Sequence, residues 1–429
     1  MGSEVAFAVI AIALILLLLT GHWIAFSLSS IALASFMILL EGKEGMMALL
    51  VFNKIGSFHF FAMPLFLLMG EILLVSKVGS DIIEGLSPMF NRFRGGLLYT
   101  TIFGNALFAA ICGSSLAALG ALGPMLVSEL SKKGYEKKIA FGTLSTAGTL
   151  AVMIPPSMGM IFYGMVADQS IGTLFIAILI PGLILTGLLA LTTFIWVRVD
   201  PKLVPKTEQA TWGEALKSML SLWPIIALII VVLGSIYGGI CTATEAGAIG
   251  VFGAFLIAVL KNRVGVKGLF SAVYNSVTFT GVIGMLVAGA VSFSYVFSNA
   301  GLTTLLTSWL EKLPGPPGIK MLQLLGIYFV LGLFIDPPCM TLITVPLFLP
   351  FVVKQGYDPI WFGVFQTICT EIGVITPPVG ANLYILQALT GEDLITIVRG
   401  TMPYWVTCAV LVILIIYFPQ LATWLPSKM

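Results

Sequence analysis

The sequence predicts an all-α, polytopic membrane protein made of two repeats, and three observations carry this prediction. Hydrophobic residues make up 59% of the 429-residue chain and charged residues only 9%, whereas soluble domains carry about 25% charged residues. Apolar runs of about 20 residues, the length needed to cross a bilayer, recur along the whole chain. The sequence also matches itself after a shift of 222 positions, which indicates an internal repeat.

The apolar runs begin near the N-terminus and leave no room for a soluble domain. The first run, residues 5–20, follows no basic segment and contains no A-x-A cleavage site, so we expect a retained helix. The net charge of +2 gives no indication of nucleic-acid binding. The five cysteines lie in apolar surroundings, where we expect them to pack without forming disulfides. Further apolar runs lie at residues 60–75, 171–197, 223–237 and 394–418.

The internal match is most specific at paired residues. Gly134-Tyr135 matches Gly356-Tyr357, and Pro155-Pro156 matches Pro377-Pro378, all at one gapless offset. Single identities are common in a chain rich in Leu, Ile, Gly and Ala, but such pairs are not. Internal repeats of this kind are typical of secondary transporters.

The repeat divides the chain into three parts. The first repeat covers residues 1–207 and the second covers 223–429, with a polar linker near 208–222. Trp212 and Trp223 flank the apolar positions of this linker, which predicts an amphipathic helix at the cytoplasmic interface.

The basic residues predict the orientation of each segment, because cytoplasmic loops carry an excess of Lys and Arg. Residues 95–131 are flanked by basic clusters on both sides and broken by CGSS at 112–115, which predicts a re-entrant hairpin from the cytoplasm. Its partner, residues 317–353, is broken by DPP at 336–338 and has few basic flanks, so we expect it to enter from the opposite side. Each repeat then has about five crossings and one hairpin. An odd count inverts the second repeat and places both termini in the periplasm.

Broken helices at membrane depth predict where ligands bind. Backbone groups left unpaired in hydrocarbon cost several kcal/mol each, so they need ions, water or protein as partners. Hydroxyl and carboxylate oxygens beside such breaks suit an alkali cation, and the start of a half-helix suits a carboxylate. We expect at least two cation sites, with ligands among Ser114, Ser115, Thr146, Thr149, Asp336, Thr370 and Thr376. The residues expected at the substrate are Pro155, Pro156, Ser157, Glu371, Pro377, Pro378 and Asn382.

Alternative roles exist for several of these residues. Ser and Thr hydroxyls in membrane helices often donate to the carbonyl one turn earlier. This structural role is the alternative to ion binding for every single hydroxyl named above. Asp336 and Glu371 are stronger candidates, because acids inside a membrane are usually functional. Glu71 and Glu245 also lie in apolar runs, and we expect them to serve the scaffold between the repeats.

Two other classes of membrane protein fit the sequence less well. An ion channel needs a continuous polar pore, but the polar residues here concentrate at two repeat-related points. An intramembrane protease needs a positioned base or a metal motif. The chain has only two histidines, no H-E-x-x-H motif, and neither histidine is near the serines of the first hairpin.

Seven stretches of the chain form a specific set of motifs. They are GHWIAFSL at 21–28, PLFLLMGEIL at 64–73, GSSLAALGALGPML at 113–126, IPPSMGMIFYG at 154–164, TATEAGAIG at 242–250, DPPCMTLITVPLFLP at 336–350 and GVITPPVGANLYIL at 373–386. Together these motifs resemble those of the large membrane subunit of tripartite ATP-independent periplasmic (TRAP) transporters, the DctM family, over essentially the whole chain. One departure is GHWIAF at residues 21–26, where the family usually has Gly-x-Pro-Ile-Ala-Phe.

This resemblance implies a transporter that takes up organic acids, coupled to Na⁺, across the bacterial inner membrane. It implies two protein partners, a periplasmic substrate-binding protein and a small membrane subunit of four helices, expected here as a separate chain. It also implies an elevator mechanism, with a transport domain at about 95–185 and 317–405 and a scaffold formed by the remainder. The expected substrate is sialic acid, and C4-dicarboxylates are the alternative.

Overall fold

The computed structural model describes residues 3–40, 44–205 and 211–428, and within these ranges the chain is helical and has no strand. The all-α prediction is therefore confirmed. The helices before the linker are α1 (Ser3–Leu19), α2 (Ile24–Leu39), α3 (Glu44–Ile55), α4 (Phe58–Val75), α5 (Val78–Phe90), α6 (Gly96–Cys112), α7 (Ser115–Lys132), α8 (Lys137–Ala147), α9 (Leu150–Met153), α10 (Met158–Ala167) and α11 (Ile171–Val199). The linker forms α12 (Trp212–Leu220). The remaining helices are α13 (Trp223–Tyr237), α14 (Ala243–Leu260), α15 (Val266–Asn299), α16 (Leu302–Glu311), α17 (Pro317–Gly332), α18 (Pro337–Lys354), α19 (Pro359–Val374), α20 (Ala381–Thr390), α21 (Leu394–Tyr417) and α22 (Gln420–Thr423).

The helix bounds follow the offset seen in the sequence. The first residues of α7 and α18 are related by this offset, their last residues are related by it too, and the starts of α8 and α19 have the same separation. Both Pro-Pro segments contain a cis peptide bond, Pro155-Pro156 and Pro377-Pro378. The two halves of the chain thus form the same series of elements in the same order.

Two stretches are divided into two helices in the first half and form one helix in the second, α3 and α4 against α15, and α8 and α9 against α19. Helix α15 runs unbroken through 34 residues, but the equivalent stretch in the first half is divided into α3 and α4. The division falls at Gly56 and Ser57, and Ser57 has extended backbone (φ −70°, ψ 145°). The equivalent positions of the second half hold Thr278 and Phe279, so the glycine at the break, a residue that weakens a helix interior, has no counterpart at that position of α15.

Both predicted hairpins form as two helices around a break. In the first, Gly113 has a positive φ of 67°, and the Ser114 hydroxyl caps α7 by accepting a hydrogen bond from the Ala117 N–H. In the second, the break falls between α17 and α18, and α18 begins at Pro337-Pro338. Proline suits this position because the first N–H groups of a helix have no partner inside it.

The length and composition of the helices make this a multi-pass membrane protein. In the described ranges, six helices are long and apolar enough to cross a bilayer, or eight if each of two bent pairs is one span. Helices α1 and α2, with 17 and 16 residues, are shorter than these six. The six long helices are α4, α11, α14, α15, α18 and α21.

The linker packs on the first half of the chain through α5. The Arg92 guanidinium lies 3.7 Å from the centroid of the Trp212 ring, a cation–π contact. The Ser218 hydroxyl donates to the carbonyl oxygens of Glu84 and Gly85, each at 3.0 Å. Helix α12 lies within the predicted linker 208–222, and residues 208–210 of that prediction lie outside the described ranges.

The inverted orientation of the two halves can be tested at repeat-related positions. Lys133 and Gln355 directly follow the equivalent helices α7 and α18. In a Cys241→Ser background, which removes the one cysteine that is not buried, we expect cysteines at 133 and 355 to react with a membrane-impermeant maleimide from opposite faces. Labelling of both from the same face would contradict the inversion.

Candidate functional site

The two hairpin breaks meet at one cavity of about 190 Å³. The N-terminal ends of α7 and α18 form part of its lining, together with residues of α10 and α19. One face of α15 closes it, from Phe279 to Leu286. The lining residues with side-chain oxygens are Ser114, Ser115, Asp336, Thr341, Thr370 and Glu371.

The first hairpin break rests directly on the first Pro-Pro segment. The Met158 N–H donates a hydrogen bond to the Gly113 carbonyl at 3.1 Å. A Cβ atom at Gly113 would lie 2.6 Å from the Pro156 carbonyl oxygen, which is closer than such atoms can approach. Position 113 therefore requires glycine for two reasons, its left-handed backbone conformation and this close approach.

Glu371 is the buried acid of the cavity. Its side chain is 4% exposed, and one carboxylate oxygen, Oε2, has no hydrogen-bond partner. The Ser115 hydroxyl lies beside this carboxylate in the lining of the cavity. A buried carboxylate oxygen without a partner is costly, so the cavity is suited to a ligand that supplies a cation or a donor.

A second set of oxygens lies beside Gly148. The Asn382 amide donates to the Ser145 carbonyl at 3.0 Å, while Asn382 Oδ1 and Ser145 Oγ have no partner. A Cβ atom at Gly148 would lie 3.4 Å from the Ser145 carbonyl oxygen and 3.5 Å from that of Ser115. Carbonyl and amide oxygens of this kind can replace the hydration shell of an alkali cation, so these residues fit Na⁺.

Hydroxyl and carboxylate oxygens are the oxygen atoms that side chains contribute to the lining of the cavity. Among the described residues, no three or more His, Cys, Asp and Glu side chains lie together in a group that could hold a metal ion. The oxygens available at the cavity belong to hydroxyls, carbonyls and single carboxylates, which suit hard, weakly bound cations rather than zinc.

The structure separates the seven predicted cation ligands into two groups. Ser114, Ser115, Asp336 and Thr370 line the cavity. The other three are buried and lie outside its lining, and each hydroxyl donates to a backbone carbonyl three or four residues earlier, the alternative role for such residues. These bonds join Thr146 to Gly142 (3.0 Å), Thr149 to Thr146 (2.7 Å) and Thr376 to Ile372 (2.5 Å).

Of the seven residues predicted at the substrate, Glu371 alone lines this cavity. Ser157 caps α10, since its buried hydroxyl accepts a hydrogen bond from the Met160 N–H at 3.3 Å. Asn382 belongs to the oxygen set beside Gly148. The four prolines form the two cis segments that precede α10 and α20.

The two acids predicted for the scaffold have different surroundings. Glu71 of α4 accepts a hydrogen bond from the Asn275 amide of α15 at 3.0 Å, beside a second cavity of about 310 Å³ that includes Ser114. Glu245 instead completes a capping box with Thr242 at the start of α14. The role of Glu245 seen here is thus local to one helix.

Sequence reasoning missed two parts of the site. One is the α15 wall, whose residues Phe279, Val282, Ile283 and Leu286 share a helical face. The other is Gln366, a fully buried amide that donates to the Thr341 hydroxyl at 2.7 Å and keeps its Oε1 without a partner. Gln366 was detectable as a polar residue in an apolar stretch, whereas α15 is apolar nearly all round.

Repeated halves, paired broken helices and a cavity that holds a buried acid between the breaks together define a secondary transporter. Sequence comparison then identifies the family. Residues 11–421 match the profile of "Tripartite ATP-independent periplasmic transporter, DctM component", and the chain belongs to this family. The resemblance noted in the sequence is thus confirmed.

Individual relatives agree with this assignment. The C4-dicarboxylate TRAP transporter large permease protein DctM of Pseudomonas aeruginosa is 31% identical over 383 residues, which is 89% of each chain. The sialic acid TRAP transporter large permease protein SiaM of Vibrio cholerae is 27% identical and covers 96% of each. The crystal structure of the YdaH transporter of Alcanivorax borkumensis matches 91% of this chain with a TM-score of 0.61 and 16% identity, a similarity of fold.

Family membership fixes the general role of the chain. It is the large permease component of a tripartite periplasmic transporter and a multi-pass membrane protein. The relatives are transport permeases, so the chain is a transporter and not an enzyme.

Proposed function

We propose that the chain is the translocating subunit of a Na⁺-coupled importer of an organic acid in the bacterial inner membrane. The observation that carries this proposal is the cavity where both hairpin breaks meet, with Ser115, Asp336 and Thr370 beside the buried Glu371. The tripartite family name supports two partners. We assign these as a small four-helix membrane subunit and a periplasmic protein that delivers the substrate.

The groups at the cavity have complementary charges in this proposal, with helix N-termini for an anion and oxygen atoms for a cation. Helices α7 and α18 both begin at the cavity, and the positive ends of their dipoles favour the carboxylate of the substrate. The hydroxyls, carbonyls and acids beside them favour Na⁺, with one ion near Ser115 and Ser145 and another near Asp336 and Thr370. Cation and anion then stabilise each other, which is a physical basis for coupling.

The proposal also includes a movement of the site relative to a fixed scaffold. Helices α4 and α15 join through Glu71 and Asn275, and we assign them to a fixed scaffold. The hairpins and Pro-Pro segments carry the site and move past this scaffold as an elevator, in a domain at about 95–185 and 317–405. Both termini are periplasmic in this arrangement.

The substrate is proposed within the organic acids. Sialic acid is the first candidate, and the similarity to the Vibrio cholerae relative supports it. C4-dicarboxylates are the alternative, supported by the name and higher identity of the Pseudomonas aeruginosa relative. Purification of the cognate binding protein and mass spectrometry of its bound ligand would distinguish the two.

Uptake by reconstituted transporter tests the coupling. We expect proteoliposomes with both membrane subunits and the loaded binding protein to accumulate substrate only under an inward Na⁺ gradient. The rate should rise sigmoidally with Na⁺, because at least two ions bind before translocation. Choline in place of Na⁺ is the control. Equal uptake in choline would refute Na⁺ coupling, and a hyperbolic dependence with one charge moved per cycle would refute two sites.

A further inference from the structure

A groove of about 500 Å³ runs between α11 and α21 on the outside of the helix bundle. Its walls are apolar apart from the hydroxyls of Thr192 and Thr407 and the Trp196 indole. Four of the lining residues are half or more exposed, Leu191 at 50%, Ile195 at 53%, Val199 at 78% and Val406 at 64%. Since α11 and α21 are long enough to cross the bilayer, this groove faces lipid.

The contacts between the two helices fix which residues lie at each end of the groove. The hydroxyls of Thr192 and Thr407 lie 2.6 Å apart, and the Thr193 hydroxyl lies 2.8 Å from that of Tyr404. The chain numbers therefore run in opposite directions along the groove. This register places Arg198 of α11 and Arg399 of α21 at the same end.

Both arginines also lie on the groove side of their helices. Arg198 follows Ile195 by three residues and Arg399 precedes Pro403 by four, the spacings that place residues on one helical face. Both side chains are exposed. Neither makes a hydrogen bond or an ion pair with any residue of the described ranges. An apolar groove in the membrane thus ends at two guanidinium groups without partners.

We propose that this groove binds one anionic phospholipid of the cytoplasmic leaflet. An acyl chain fills the apolar part, and the phosphodiester and acidic headgroup bind Arg198 and Arg399. Guanidinium groups suit this role because they form paired, charge-assisted hydrogen bonds to phosphate. The basic end is cytoplasmic by the distribution of Lys and Arg, and anionic lipids attract basic residues there. This site is separate from the transport cavity.

Lipid retention by the purified two-subunit membrane complex tests the proposal. The complex is equilibrated with mixed micelles of phosphatidylglycerol and phosphatidylcholine, and bound lipid is counted by native mass spectrometry. We expect Arg198→Gln with Arg399→Gln to reduce retained phosphatidylglycerol about tenfold and leave phosphatidylcholine unchanged. The matched control, Lys217→Gln with Lys267→Gln, removes two exposed charges from helices that do not line the groove and should retain wild-type phosphatidylglycerol. Equal retention by the two double variants would overturn the proposal.

A second pair of substitutions tests the apolar part without changing charge. Leu191→Phe with Val406→Phe fills the groove at two lipid-exposed positions, and we expect it to reduce the retention of both lipids. Unchanged retention in this variant would overturn the assignment of the acyl chain. Displacement of the lipid by glycerol 3-phosphate would show that the arginines bind free phosphate groups instead. A photo-crosslinker at position 406 that captures the small subunit would show that protein covers the groove.

Discussion

Gly400→Ala is expected to prevent stable assembly of the protein, because α21 crosses α8 with no room for a side chain. A Cβ atom at Gly400 would lie 2.0 Å from the Lys138 carbonyl oxygen, and one at Gly142 would lie 2.0 Å from the Gly400 carbonyl oxygen. Both obstacles are backbone, so a rotamer change cannot relieve them. Small residues allow such close crossings in membranes. Overpacking a core costs about 1–3 kcal/mol, and more where nothing can move.

A side chain at position 400 would push α8 and α21 apart, and this would also break a buried hydroxyl network. The Tyr404 hydroxyl lies 2.6 Å from that of Thr143 on α8 and 2.8 Å from that of Thr193 on α11. We therefore expect Gly400→Ala to show little monodisperse protein in detergent size-exclusion chromatography and a much lower unfolding temperature. Gly187→Ala is the control, because a Cβ atom added at Gly187 of α11 would meet no neighbouring heavy atom within 4 Å. Similar yields for both variants would disprove the close-crossing argument.

The broken helices were predictable because their residues are unusual in an apolar chain. Pro-Pro, Gly113 and Asp336 stand out against long runs of Leu, Ile and Val, and each marks a real helix end. The repeat offset then allows a helix end in one half to predict the equivalent helix end in the other half. The bounds of α18 equal those of α7 shifted by the repeat offset.

The convergence of side chains was less predictable, for a physical reason. In a soluble helix, the apolar stripe marks the buried face, but in a membrane both lipid and protein favour apolar residues. The α15 wall from Phe279 to Leu286 therefore carries no sequence signal of its own. The crossing of Gly142 with Gly400 is hidden in the same way, since the chain has 45 glycines and most have no such contact.

Hydroxyl residues show the same ambiguity at single positions. Thr370 lines the cavity, yet its hydroxyl also donates to the Thr367 carbonyl at 2.8 Å. A hydroxyl that donates backwards keeps its lone pairs, so it can still accept a cation. The sequence cannot separate the two roles because both use the same residue at the same depth. Acids are less ambiguous, because a carboxylate inside a membrane needs a partner.

Asp336 is the acid at the second hairpin break, and its surroundings make it available to a ligand. It precedes Pro337 and Pro338, which have no N–H groups, and its side chain caps no backbone N–H of α18. Most aspartates at the start of a helix are occupied by such capping bonds. Asp336 instead lines the cavity with Thr370 and Glu371. The equivalent residue of the first hairpin, Ser114, is uncharged and does cap its helix.

Asp336→Asn is therefore expected to weaken the apparent affinity for Na⁺ at least tenfold, on the order of 1.4 kcal/mol. The amide keeps the size of the side chain and removes the negative charge that we propose as a ligand of the ion. Uptake measured across a series of Na⁺ concentrations should shift to higher Na⁺, while expression and binding of the small subunit stay at wild-type levels. Asp393→Asn is the matched control, because Asp393 precedes α21, is exposed and caps no N–H. If Asp336→Asn and Asp393→Asn both retain the wild-type dependence on Na⁺, Asp336 is not a ligand of the coupling ion.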